Sequence, residues 1–156
     1  MAAPVNAVGR ALVIACGNSL RGDDGIGLKI GSAVEKNPPR GNLRVVITQQ
    51  LLPEHAFDVS EADVVVFVDC SAVTAPGVVT TLTLFPAETL PRILTHHLGP
   101  AALLKMAKDL YGHMPGRAFA VTVGASSFDL SEKLTAPVEA AIPSAIAAVH
   151  AALLRT

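Results

Sequence analysis

Asp23 and Asp24 stand side by side between glycines, in Gly17-Asn18-Ser19-Leu20-Arg21-Gly22-Asp23-Asp24-Gly25-Ile26-Gly27. Adjacent carboxylates in a loop suit two kinds of chemistry: holding a cation, or moving a proton as general acid or base. They argue against a third. A phosphate-binding loop offers an anion its backbone N–H groups and a helix N-terminus, and acids would repel that anion where the helix dipole should welcome it. The glycines fall at 17, 22, 25 and 27, so the G-x-G-x-x-G spacing of a dinucleotide site is absent, as is the G-K-S/T of a P-loop. The plainer reading is that one Asp caps the helix that follows, with Gly25 opening it. One can cap while the other faces a cleft.

Two further groups join them. Asp69 terminates the run Val64-Val65-Val66-Phe67-Val68, and His96 lies in Thr95-His96-His97-Leu98-Gly99-Pro100. If the strands are parallel, Asp24 and Asp69 empty onto one rim. Two carboxylates and one imidazole leave positions open for water or substrate, the ligand set of a catalytic metal site. The same trio suits general acid–base work, one carboxylate raising the pKa of the other. The residue types leave both open. The plainer roles are a strand-end cap for Asp69 and a solvated loop pair for His96 and His97. His55, His113 and His150 are assigned to the surface. Cys16 and Cys70 read as small buried thiols at strand ends, too few for a disulfide framework. No G-x-S-x-G elbow points to a serine hydrolase.

The elements that must position these groups follow from periodicity. The run Ala11-Leu12-Val13-Ile14-Ala15-Cys16 predicts a strand buried on both faces. Ile26, Ile30, Ala33 and Val34 predict a helix over 25–36, stopped by Asn37-Pro38-Pro39. Strands are expected at 43–48, 64–69, 78–85 and 117–124, with the 78–85 strand at an edge. A short helix follows Pro53, a long loop spans 86–95, and a helix covers 100–111. A final helical stretch over 135–155 starts at Thr135 and is kinked or restarted by Pro143. Strands alternating with helices argue a three-layer α/β/α sandwich with a mostly parallel sheet.

Composition bounds the rest. A chain of 156 residues with 51% apolar residues predicts a single domain over 1–156 with a sizeable core. With 4% aromatics and no Trp, that core is aliphatic. A net charge of -1 offers no basic stripe for nucleic acid. No apolar run is long enough for a membrane span and the first residues lack a signal-peptide pattern, so the expected location is cytoplasmic.

Gly17-Asn18-x-Leu20-x-x-Asp23-Asp24-Gly25-x-Gly27, Val68-Asp69 and His96-His97-Leu98-Gly99 together resemble the hydrogenase maturation endopeptidases, the proteases that trim the large subunit of NiFe hydrogenases. Gln50-Leu51-x-Pro53-Glu54 and Leu134-Thr135-x-x-Val138-Glu139 extend the likeness over nearly the whole chain. The resemblance implies a twisted, mostly parallel five-stranded sheet between helices. It implies removal of a C-terminal peptide from the large-subunit precursor after nickel insertion, by an aspartic-type or metal-assisted mechanism. The nickel belongs to the substrate and marks it for recognition. Carried over, the metal-binding residues are Asp24, Asp69 and His96, with Asp24 and Asp69 catalytic. Asp24 stands where some members have Glu, an oxygen ligand one methylene shorter; His97 adjoins His96. The alternatives are a metal-dependent hydrolase of the same fold with another substrate, or a non-catalytic nickel escort.

Overall fold

The computed structural model describes residues 9–90 and 98–155. Among these residues the strands are β1 (Ala11–Cys16), β2 (Leu43–Thr48), β3 (Val64–Ser71), β4 (Val79–Thr83) and β5 (Arg117–Gly124). The helices are α1 (Ile26–Lys36), α2 (His55–Ser60), α3 (Pro100–Tyr111), α4 (Ala136–Ala140) and α5 (Ile142–Leu154). They form one five-stranded sheet in the order β2-β1-β3-β5-β4. All neighbours are parallel except β4, which runs antiparallel along β5 at the edge.

Alternation along the central strands divides the core in two. Val13, Ala15, Val64, Val66, Val68 and Val121 face one side, against Ile26, Ile30 and Val34 of α1 and Ala145 and Val149 of α5. Leu12, Ile14, Val65 and Phe67 face the other, against Val59 of α2 and Leu103, Leu104 and Ala107 of α3. A sheet apolar on both faces must be covered on both, which makes the three layers. The expected restart at Pro143 is present: the residue sits in the first turn of α5, where its missing N–H costs nothing.

The strand ends make the crevice. β1 connects outward to β2, and β3 lies on its other side, so the order reverses there, the position where open α/β sheets bind ligands. β1 stays in register with β3 only as far as Ala15 and Val68. β3 was expected to stop at Asp69, but it continues beside the equally long β5, through Asp69–Thr122 and Cys70–Val123 to Ser71–Gly124. Its last residues therefore have a strand on one side and open space on the other. α1 crosses close to this gap. A Cβ at Gly27 would run into the carbonyl of Cys16, and one at Gly17 into that of Asp24. Both positions need glycine for close backbone approach.

Neither Asp of the first loop caps α1: the N-cap is Gly25, with no side-chain hydrogen bond. The two acids lie in a single 3-10 turn, Gly22–Gly25, and point away from the helix start. Asp23 is fully buried. Its Oδ2 accepts from the N–H groups of Ser126 (2.8 Å) and Ser127 (3.0 Å) and from the Thr135 hydroxyl (2.8 Å). Its Oδ1 accepts from the Thr135 N–H at 2.7 Å. Burial alone would push this carboxyl up, but the donors at Thr135, Ser126 and Ser127 outweigh it and hold it below the ordinary value. Backbone bonds add to the seam, Gly22 N–H to Ser131 O (2.8 Å) and Asp23 N–H to Ser127 O (3.0 Å). Thr135 does occupy the N-cap of α4, but its hydroxyl serves Asp23 rather than the helix.

Asp23→Asn keeps the shape of this side chain but turns an NH2 group toward donors. The variant is expected to lose about 3 kcal/mol in denaturant unfolding at neutral pH. Because the folded-state pKa is lowered, the native contribution is present above the ordinary carboxylate value and is lost as pH falls through the folded value. The gap between wild type and variant should narrow toward acid pH.

Candidate functional site

Asp24 leaves the 3-10 turn toward the crevice. Its Oδ2 accepts from the Asn18 N–H at 3.0 Å, and its Oδ1 accepts from the Cys70 thiol at 3.1 Å. Asn18 N–H also reaches the Asp24 carbonyl at 3.2 Å, and the Asn18 side chain takes the Leu20 N–H at 2.9 Å. The turn thus closes on itself and presents one face of Asp24. Asp69 approaches from β3. Its Oδ1 accepts from the Cys70 N–H at 2.7 Å, while its Oδ2 takes no hydrogen bond among the described residues. One ligand atom from each of Asp24, Asp69 and Cys70 lies within 4.8 Å of the others.

The two carboxylates expected together are therefore together. Cys70 is an addition. Expected as a small buried thiol, it is half-buried and part of the cluster. Alternation explains it: Asp69 and Cys70 point to opposite faces of β3, and Asp24 comes from the loop leading to α1 on the Cys70 side. Cys16 is the expected buried thiol. His96 and His97 lie outside the described residues. Leu98, Gly99 and Pro100, which follow them, do line the cleft. His55 corrects the surface assignment: it is buried, and its Nδ1 accepts the Leu52 N–H at 2.9 Å. His150 is half-buried on α5 with its Nε2 enclosed, while His113 is exposed and donates from Nδ1 to the Ser60 carbonyl at 2.6 Å.

Asp24 and Asp69 open into a cleft of about 310 Å³, walled by Gln49, Gln50 and Leu51 after β2, by Phe67, and by the start of α3. Asp69 keeps contact with solvent, yet the cleft walls remove enough water to raise its carboxyl to about 6. The Cys70 N–H opposes this and the charge of Asp24 adds to it. Burial, with Asp69 and Asp24 nearby, pushes the Cys16 thiol up to about 12. Burial, the bond to Asp24 and the same two charges raise Cys70 as well. Both cysteines are therefore neutral thiols at physiological pH, and Cys70 stays a donor to Asp24. Two carboxylates converging on an open cleft, with the Cys70 thiol steadying one of them, can offer oxygen ligands to a divalent cation. They can equally orient a water for attack on a bound carbonyl.

No protein-family model and no curated protein matches the chain. Solved structures do. A hydrogenase maturating endopeptidase from Escherichia coli, HybD, aligns at TM-score 0.74 with 28% identity over 92% of this chain and 91% of that one. A hydrogenase 2 maturation peptidase from a Thaumarchaeota archaeon aligns at 0.68 with 25% identity over 94% and 99%. The NiFe hydrogenase maturation protease HycI of Thermococcus kodakarensis aligns at 0.71 over 95% and 94%; at 18% identity it speaks to the fold alone. The resemblance carried by the loop motifs therefore extends to the whole architecture, and the expected mostly parallel five-stranded sheet is the one observed.

A carboxyl raised in the fold binds its proton more tightly there than in the unfolded chain. The stabilising contribution of protonated Asp69 is complete below the ordinary value of 3.8 and is lost as pH rises through about 6. Asp69→Asn, which still accepts the Cys70 N–H, is expected to raise the thermal midpoint above pH 7. The gain should vanish near pH 4. Thermal unfolding followed across that range measures both limbs.

Proposed function

We propose that this chain is an endopeptidase that removes a C-terminal peptide from the large-subunit precursor of a NiFe hydrogenase, recognising it by the nickel the precursor carries. One observation carries the reading. Asp24 and Asp69 converge on one cleft at the switch point of the sheet, in a fold shared with named hydrogenase maturation proteases. The nickel is part of the substrate, and the carboxylates fit it as oxygen ligands. Asp24 and Asp69 would hold the metal, with His96 as the third expected ligand. A precursor without nickel offers them nothing to bind, so cleavage waits for metal insertion.

The hydrogen bonds divide the labour. Both oxygens of Asp24 already accept a donor, from Asn18 and Cys70. Held in this way, Asp24 suits the role of ligand and electrostatic partner. Asp69 lines the cleft, and its pKa of about 6 suits a group that accepts a proton at neutral pH. In this reading Asp69 takes the proton of the water that attacks the scissile carbonyl, and the metal docks that carbonyl beside it.

A protein-sized substrate also suits the rim. Leu20 (54% exposed) follows β1, Val73 (96%) follows β3, and Leu130 (82%) follows β5. All three project from loops at the carboxyl ends of parallel strands, the side on which the carboxylates lie, and exposed apolar side chains around a site mark a docking surface.

The test is the intact mass of the large-subunit precursor from the same genome after incubation with this protein, nickel-loaded beside nickel-free. Loss of a C-terminal peptide from the loaded sample alone is expected. Asp24→Asn and Asp69→Asn should each slow that loss by roughly 10²-fold or more. An intact loaded precursor that nevertheless binds the protein would replace the peptidase with a nickel escort.

A further inference from the structure

A second groove runs along α1. It encloses about 590 Å³. Gly25, Leu28, Lys29, Ser32, Ala33 and Lys36 form one wall, at the three- and four-residue steps that keep side chains on one helix face. Glu132 and Leu134 form the other. The groove and the carboxylate cleft have a neighbour in common. A shallower depression of about 250 Å³ shares Ser19 and Leu28 with the groove and Gln49 with the cleft. A chain laid from the carboxylates over this depression and along α1 would be a single extended segment rather than a folded surface.

Its charge selects the chain. Lys29 and Lys36 are exposed, and among the described residues neither has an ion-pair partner. Glu132 on the opposite wall neutralises one of the two at most. An extended segment entering from Asp24 and Asp69 therefore passes from an acidic end to a basic one. At 1.5 Å per helical residue, Lys29 and Lys36 stand roughly 7 and 18 Å along α1 from Asp24. An extended peptide covers that span in about two to six residues.

We propose that this groove binds the substrate segment on the carboxyl side of the scissile bond, and that Lys29 and Lys36 pair with a carboxylate two to six residues beyond it. The inference rests on the peptidase reading above and names the part of the substrate that reading leaves unplaced. A C-terminal peptide suits the groove because it is a free chain end and brings a terminal carboxylate besides any acidic side chains. The body of the precursor has the apolar rim; the tail has α1.

The experiment has two arms. Nickel-loaded precursor is processed by wild type, K29E/K36E, K29Q/K36Q and, as a charge control on α3, K108E. A fluorescein-labelled synthetic peptide of the precursor's C-terminal segment is titrated with the same proteins by anisotropy. The expected result is a KM and a peptide Kd at least tenfold higher for K29E/K36E, with kcat within about twofold. K29Q/K36Q should be intermediate and K108E unchanged. Raising salt should weaken wild type and leave K29Q/K36Q nearly flat. Equal KM and Kd for wild type and K29E/K36E overturn the groove even where cleavage is normal. An uncleaved precursor whose tail peptide still binds through the lysines overturns the peptidase reading and leaves the groove standing.

Discussion

Asp23 has no access to solvent, and four donors converge on its two oxygens. A buried carboxylate is tolerable only when it is so satisfied, and once satisfied it is costly to disturb. Its donors come from the segment after β5 and from the start of α4, more than a hundred residues along the chain. The loop after β1 is thereby fastened to the loop after β5. Asp24 is the next residue, so its backbone is fixed by the same clasp. Of the paired acids, the buried one sets where the other stands.

The clasp works because the sheet leaves somewhere for Asp24 to face. β1 ends its pairing with β3 at Val68, and β3 goes on with β5. A site between two strands needs that mismatch in length; strands of equal reach would close the gap with backbone bonds. Gly17 and Gly27 bring the loop and α1 against the strand ends without a Cβ in the way. Distance between the carboxylates is then set by backbone-to-backbone contact, which is stiffer than side-chain packing. The Asp24 carboxylate is met by the Cys70 thiol of β3 at 3.1 Å.

The sheet and its helices were legible because each rests on a local pattern. Continuous apolar runs gave β1 and the buried part of β3, and helical spacing gave α1 and α3 within a residue of their observed bounds. Asp24 and Asp69 could be brought together on topology alone, since parallel strands deliver their ends to one rim. Asp23 could not. Capping is a local rule, and it failed because a nonlocal set of N–H groups competed for the same carboxylate. His55 failed for a similar reason: no acid stands near it in sequence, but its ring closes the turn before α2 through the Leu52 N–H. Cys70 was visible only through alternation combined with the side on which α1 packs, and that side is a tertiary fact. His96 falls outside the described residues, so its place beside the carboxylates rests on the family likeness.

The cluster is electrostatically incomplete as it stands. The cleft walls strip water from Asp69 and the nearby charge of Asp24 adds to the cost of ionising it, which is why the Asp69 carboxyl is drawn up to about 6. A proton relieves that cost weakly, and a divalent cation relieves it far more. Binding of a cation must therefore displace the proton that Asp69 holds near pH 6, coupling metal capture to deprotonation. For a metal that arrives on the substrate, this coupling has a direct use. Under the proposed reading, docking of that metal beside Asp69 would favour the ionised carboxylate that accepts a proton from water. In that reading, selectivity for a metal-loaded partner would draw on the paired carboxylates themselves, whose charge a cation offsets.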